Sequence, residues 1–173
     1  MPAGDSAMTD LALLVVFPAL MIGAAVSDLL TMTIPNRVAI CLAVAFFAFA
    51  LVLHMPPVTI GLHVLAGAAI LVVTFGLFAF GWIGGGDAKL AAATALWMGW
   101  ENLADYLLIS TLVGGALTLL ILYVRKWPLP VSLLRQDWIA RLHDKATGVP
   151  YGIALAVAGL ALFPQTQLWF AAA

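Results

Sequence analysis

The stretch GWIGGGDAKL, residues 81–90, interrupts a chain that is otherwise almost entirely apolar. Its three consecutive glycines, Gly84 to Gly86, free the backbone from Cβ restrictions and let other groups approach it closely. Asp87 and Lys89 follow at once, after a long run without any acid, lysine or arginine. Glycine is common in membrane helices, so the triplet alone would indicate little. A triplet that delivers a carboxylate to the edge of an apolar run indicates either a functional loop or a flexible turn with solvated charges.

The composition indicates a membrane protein. Of the 173 residues, 65% are hydrophobic and 9% are charged, and the mean hydropathy is +1.13. Soluble proteins carry about 25% charged residues, so we predict one all-α integral membrane domain over residues 1–173. No basic patch interleaved with aromatic residues supports nucleic-acid binding. Cys41 is the only cysteine, which excludes an intrachain disulfide and a Cys-x-x-Cys zinc site; we expect no metal and no organic cofactor.

Six apolar runs approach the length of about 20 residues that crosses a bilayer. The predicted spans are about 11–27, 38–53, 60–82, 88–103, 105–124 and 149–170. Between the last two spans, residues 129–145 carry apolar side chains at helical spacing with charges between them. This pattern predicts an amphipathic helix in the cytoplasmic interface, either a simple connector or a surface that meets a substrate or partner.

The placement of charges predicts the orientation in the membrane. All seven basic residues fall in connections on one side of a six-span topology: Arg37, Lys89, Arg125, Lys126, Arg135, Arg141 and Lys145. The other side has Asp5, Asp10, Glu101 and Asp105 and no Lys or Arg. Because basic connections stay in the cytoplasm, both termini are predicted on the outer, periplasmic side. Five tryptophans near the span ends are predicted to be interface anchors: Trp82, Trp97, Trp100, Trp127 and Trp169.

Two acids stand out from the remaining six, which we expect to be solvated surface charges. Asp28 ends the first span and Asp87 follows the third, and these spans run in the same direction, so both carboxylates reach the same membrane face. An ionisable group at membrane depth is a functional candidate. Two carboxylates close together in a poorly hydrated site share a proton, which is what aspartic proteolysis requires. The alternative is two helix-end acids that never meet.

Three motifs carry a resemblance to a known family. GGGDAK, residues 84–89, resembles the Gly-x-Gly-Asp-x-Lys signature of the type IV prepilin leader peptidases, a branch of the GxGD membrane aspartic proteases. Ser27-Asp28, followed by IPNR at 34–37, is similar to the context of that family's first aspartate. VPYGIALA, residues 149–156, resembles the proline-led motif at the start of the family's last helix. The motifs occur in family order and cover most of the chain.

The resemblance implies an aspartic endopeptidase of the bacterial inner membrane that removes the leader peptide of pilin-like precursors at the cytoplasmic face. It assigns catalysis to Asp28 and Asp87 and makes Gly84 and Gly86 the loop positions that let Asp87 approach its partner. Lys89 would orient the loop, affect the acids' pKa values or sit at the interface. Longer relatives carry an extra cytosolic segment, often with Cys-x-x-Cys zinc sites, and methylate the new pilin N-terminus. This chain resembles the short form associated with Flp (tight-adherence) pili, so N-methyltransferase activity is not expected.

Other functions remain open on the sequence alone. A GxGD protease with other substrates, such as remnant signal peptides or archaeal flagellin-like precursors, has the same motif spacing. A small proton-coupled transporter or channel would use Asp87 as a proton or cation site and the glycines as a broken helix. Against it, both acids map to an interface and not to the midplane. A non-catalytic membrane scaffold would depend on residues 129–145. The precursor, its cleavage position, the roles of Pro150-Tyr151-Gly152 and the oligomeric state are left open.

Overall fold

The protein is an all-helical integral membrane protein. The computed structural model describes residues 3–172 and the side chains of residues 11–171, so the Asp5 and Asp10 side chains lie outside the described part. Within residues 3–172 every regular element is a helix. The helices are α1 (Ala3–Thr31), α2 (Asn36–Val52), α3 (Pro57–Ala79), α4 (Gly85–Met98), α5 (Leu103–Val124), α6 (Val131–Leu134), α7 (Asp137–His143), α8 (Gly152–Leu162), a 3-10 turn (Phe163–Gln165) and α9 (Gln167–Ala172).

Three helices are long and apolar enough to cross a membrane by themselves. They comprise 21 residues of α1 (Leu11–Thr31), all 23 residues of α3 and all 22 residues of α5, each above the length of about 20 residues that a bilayer requires. The other predicted spans correspond to shorter helices, with 17 residues in α2 and 14 in α4. The six-span topology and the placement of the termini therefore stay predictions.

The last predicted span, 149–170, is corrected by the structure, because it is not one continuous helix. Helix α8 covers only Gly152–Leu162 and passes into the 3-10 turn that contains Pro164. Proline has no N–H to donate and its ring clashes with the preceding turn, so the helix ends there. Thr166 then takes an extended conformation, and its hydroxyl accepts a hydrogen bond of 3.2 Å from the Trp169 N–H. This is the N-cap arrangement that begins a new helix, α9.

Helices α4 and α8 form the buried centre of the bundle. In α4, Ala88 and every residue from Leu90 to Met98 are buried. Helix α3 lies close against it, since a Cβ on Gly67 would come within 3.2 Å of the Ala92 carbonyl oxygen. Small residues allow such close approach between membrane helices. The two short helices therefore pack against each other between the longer helices, with α2 and α3 against α4 and with α1 and α5 against α8.

Trp97 corrects one of the predicted interface anchors. Its side chain is 0% exposed, packs against Phe17 with ring centroids 4.8 Å apart, and donates from Nε1 to the Leu42 carbonyl oxygen over 2.9 Å. An indole near the end of an apolar run can thus belong to the core when its N–H finds a buried acceptor. Trp82, Trp100 and Trp127 are exposed, as the prediction required.

The predicted amphipathic helix at 129–145 is two short helices, α6 and α7. The chain breaks between them, where Gln136 is extended with φ −87° and ψ 115°. Asp137 then occupies the first turn of α7, a position where an acid favours a helix N-terminus. Two arginines attach this connector to the bundle. Arg125 donates from Nε to the Leu142 carbonyl oxygen over 2.8 Å, and the Arg141 guanidinium donates to the Leu30 carbonyl oxygen.

Candidate active site

Asp28 lies in the last turns of α1, where the helix ends. Met32 takes the left-handed conformation with φ 54° and donates its N–H to the Asp28 carbonyl oxygen over 2.8 Å, which closes the helix. The Asp28 side chain is only 5% exposed. Its Oδ2 accepts a hydrogen bond of 2.7 Å from the backbone N–H of Gly152. The carboxylate of α1 therefore faces the positively polarised N-terminus of α8.

Gly152 can occupy this position only because it has no side chain. A Cβ there would come within 2.7 Å of Ile34 Cδ1 and 2.9 Å of Asp28 Oδ2. The preceding residue, Tyr151, is fixed in the same way against α5. Its ring fills the space beside Gly114, where a Cβ would meet Tyr151 Cε2 at 2.2 Å, and its hydroxyl donates to the Ser110 carbonyl oxygen over 3.2 Å. The Tyr151 ring thus sets where the Gly152 N–H lies.

Asp87 lies in the first turn of α4, three residues after Gly84, the residue at the helix N-cap. The carboxylate folds back over this end, since a Cβ on Gly84 would stand 3.0 Å from Asp87 Oδ2. Gly86 packs against Ile34, where a Cβ would come within 3.1 Å of Ile34 Cβ and 3.3 Å of its backbone nitrogen. The predicted loop glycines therefore do permit a close approach of other groups.

Ile34 connects the two halves of the site. It is buried in the short link between α1 and α2, with its backbone against Gly86 and its Cδ1 against Gly152. The helix end that carries Asp87 and the helix end that binds Asp28 thus pack on the same side chain. The structure brings Asp28, Gly84, Gly86 and Asp87 to one end of the bundle, where α1 ends and α4 and α8 begin.

The pKa of Asp87 is influenced by the second carboxylate, that of Asp28. The pKa of Asp87 is raised from its usual 3.8 to about 7: burial is the largest cause, the negative charge of Asp28 acts in the same direction, and the Gly84 N–H partly opposes both. Asp87 precedes the apolar part of α4 and lies outside the three helices that are long enough to span the membrane. Its Oδ1 is buried and has no hydrogen-bond partner among the described residues. Asp87 can therefore keep its proton near neutral pH, and the charge of Asp28 is one of the causes.

Lys89 differs from the other predicted site residues, because its side chain contacts the start of α2 and not the two acids. It is exposed, and its ammonium donates to Asn36 Oδ1 over 2.8 Å. This contact ties the first turn of α4 to the start of α2, beside the link that carries Ile34. Among the described residues, no group of three or more His, Cys, Asp or Glu side chains is arranged to hold a metal ion.

Two contributions to the site escaped the sequence analysis. The Gly152 N–H and the Ile34 side chain both contact the residues that carry or hold the acids. Residues 149–156 had been singled out as a motif, but without a role for any member. A glycine directly after proline and tyrosine, opening an apolar helix, is the signal that indicates a backbone donor at this position.

Comparison with known proteins agrees with the motifs. A sequence model of the type IV leader peptidase family matches residues 15–119, more than half of the chain. The chain is 34% identical over 82 residues to a prepilin leader peptidase/N-methyltransferase of Xanthomonas campestris pv. campestris, and 32% identical over 77 residues to one of Aeromonas hydrophila. These matches cover 47% and 44% of this chain but only 23% and 21% of the two relatives. No solved structure matches. With more than half of its length matched, the chain belongs to the type IV leader peptidase family.

Proposed function

We propose that this protein is a membrane aspartic endopeptidase that removes the leader peptide of pilin-like precursors. The observation that carries the proposal is the effect of one acid on the other, because the charge of Asp28 contributes to a pKa of about 7 at Asp87. Two acids that interact in a buried site provide both a base and an acid at neutral pH. Family membership and the names of the two relatives support prepilin as the substrate class.

The proposed mechanism divides the work between the two carboxylates. Asp87 holds the shared proton, and Asp28 is ionised, with the Gly152 N–H stabilising its negative charge. Asp28 accepts a proton from a water molecule as the water oxygen attacks the scissile carbonyl carbon, while Asp87 gives its proton to the carbonyl oxygen. In the second half, the C–N bond breaks, the leaving amine takes the proton from Asp28, and Asp87 recovers its own from the diol. The pair thereby returns to its starting state.

We place the site at the cytoplasmic face of the inner membrane. Basic side chains support this placement, because those of Arg125 and Arg141 attach the connector at the same end of the bundle as Asp28, and Lys89 lies two residues after Asp87. Basic connections face the cytoplasm in membrane proteins. A precursor would meet the acids where its own apolar segment enters the bilayer.

We further propose the short, Flp-type form of the family, a peptidase without methyl transfer. Only residues 32–35 connect α1 and α2, so the link that carries Ile34 has no room for an inserted segment. The matched part of each relative is about a quarter or a fifth of its length. The expected product is a shortened precursor with an unmodified amino terminus, which mass spectrometry of the processed pilin distinguishes from a methylated one.

The test is precursor cleavage by the parent and by Asp28→Asn and Asp87→Asn in the same membranes. Each variant keeps the shape of the side chain but removes a group that transfers a proton, so the rate is expected to fall by about 100- to 10,000-fold. Asp105→Asn is the matched control, because that acid is exposed in the first turn of α5. The proposal is wrong if both site variants, inserted at the level of the parent, process the precursor as fast as it does.

A further inference from the structure

An apolar cavity lies directly beside the candidate active site. It has a volume of about 310 Å³, is open on one side, and is bordered by the ends of α1, α5 and α8 and by the connector helices α6 and α7. Twelve of its fourteen lining residues are apolar, and the other two are Arg125 and His143. Its volume is at the lower end of the range of about 300–1,000 Å³ that binds small ligands. The cavity is therefore large enough for a bulky side chain.

The lining connects this cavity to the two acids. Leu29 directly follows Asp28, while Pro150 and Ile153 stand on either side of Gly152, whose N–H binds Asp28. An extended peptide advances about 3.3–3.6 Å per residue and points its side chains alternately to opposite faces. A substrate whose scissile bond lies at the acids would thus have a neighbouring side chain near the wall formed by Leu29, Pro150 and Ile153.

The far wall of the cavity comes from the connector. Trp138, Ile139 and Leu142 of α7 face Leu117 and Ile121 of α5 across it. Arg125 lines one side, where its Nε donates to the Leu142 carbonyl oxygen and its Nη2 donates to the Gly148 carbonyl oxygen. His143 also lines the cavity, and its buried Nδ1 has no hydrogen-bond partner among the described residues. The lining thus combines apolar walls with the polar Nδ1 atom of His143.

We propose that this cavity is the specificity pocket of the peptidase and receives a large apolar side chain of the substrate next to the scissile bond. The inference rests on the proposed function and adds the residues that select the substrate. A charged side chain would lose its hydration among apolar walls, so the pocket rejects it. A small side chain leaves the pocket unfilled and gains less from burial. The segment 129–145 acquires a role, because it forms one wall of the pocket.

The test is a change of preference and not a loss of activity. In the precursor, each of the three residues on either side of the cleaved bond is set in turn to Leu and to Ala, and kcat/KM is measured for each pair with the parent enzyme. At the pocket position the parent is expected to prefer Leu by about 10-fold or more, since hydrophobic pockets discriminate by about 10- to 200-fold. Leu117→Trp fills the cavity and is expected to bring this ratio to about 1 or below.

A control variant and a second pocket variant separate an effect on substrate preference from a general effect of the substitution. Leu112→Trp places the same side chain on an exposed part of α5 and is expected to retain the parent's ratio. Trp138→Ala enlarges the pocket and is expected to favour Trp over Leu at the substrate position. A ratio that is unchanged in Leu117→Trp and Trp138→Ala, or a parent with no Leu preference at any position, overturns the inference while the peptidase stands. An equal loss for all substrates in Leu117→Trp, inserted at the level of the parent, means that the cavity does not select the substrate side chain and also overturns the inference. A parent that cuts no precursor overturns the proposed function instead.

Discussion

Gly114→Ala tests the contact that holds α8 against α5. The Tyr151 ring occupies the space of the missing side chain, so a new Cβ would stand 2.2 Å from Cε2 and 2.4 Å from Cζ. Ordinary contact begins near 3.4 Å, so the ring must retreat by about 1.2 Å. Both the ring and the α5 backbone are packed, and the retreat carries the following residue, Gly152, with it.

The displacement reaches the active site through one hydrogen bond. The Gly152 N–H now lies 2.7 Å from Asp28 Oδ2, and a shift of similar size lengthens this distance beyond hydrogen-bond range. A hydrogen bond to a charged group contributes about 1.5–3 kcal/mol, and a misplacement of about 1 Å can lower a rate about 100-fold. We expect kcat to fall by about 100-fold. Overpacking lowers the free energy of unfolding by about 1–3 kcal/mol.

The assay is precursor cleavage in proteoliposomes at saturating and limiting substrate, with insertion checked by the amount of folded protein. Gly115→Ala is the matched control, because it is the next residue of the same helix and a Cβ there would meet nothing within 4 Å. It is expected to cleave at the parent's rate within about two-fold. A Gly114→Ala protein with the parent's kcat would refute the claim that the Tyr151 contact positions the Gly152 N–H.

Two further predictions concern pH and the opposite end of the bundle. Because the pKa of Asp87 is raised to about 7, its contribution to stability is fully present below about pH 4 and is lost as pH rises through 7. The thermal stability of the parent should therefore decrease from pH 5 to pH 8, and that of Asp87→Asn should decrease less; an equal decrease in both proteins would contradict the raised pKa. Gly99→Ala should destabilise the fold by about 1–3 kcal/mol or more, since φ is +69° and a Cβ would meet the His63 ring at 2.8 Å. Gly76→Ala, with nothing within 4 Å, is its control in the same unfolding measurement.

Hydropathy predicted where helices occur, but not which of them are buried. The runs at 38–53 and 105–124 agree with α2 and α5 to within about two residues. Lipid tails and protein interior are equally apolar, so a run such as that of α4 has the same composition whether it faces lipid or other helices. The position of Trp97 near a predicted span end indicates an interface anchor, although its ring lies in the core. The break before α9 was missed because mean hydropathy does not register Pro164.

The sequence predicted the depth of the two acids in the membrane, but not which helix ends surround them. Two spans running in the same direction placed Asp28 and Asp87 at one face, and the structure brings them to one end of the bundle. The sequence could not indicate that a third helix end, at Gly152, contributes the donor to Asp28. A glycine in the sequence also does not show whether the space beside it is filled. A side chain at Gly86 or Gly152 would clash with neighbouring atoms, whereas Gly23 and Gly61 have open space.

The arrangement of helix ends gives a physical reason why two carboxyl groups can lie at the same end of the bundle. An ionised carboxylate near the C-terminus of α1 is unfavourable, because that end of a helix is negatively polarised. The N-terminus of α8 offsets this with the Gly152 N–H, and the N-terminus of α4 does the same for Asp87. In the proposed mechanism the two positive helix ends support the one negative charge of the pair, while burial and the charge of Asp28 favour the protonated form of Asp87. The backbone, brought close by glycines at residues 84, 86, 114 and 152, performs this task, and substitutions at those glycines should impair the chemistry without changing any ionisable group.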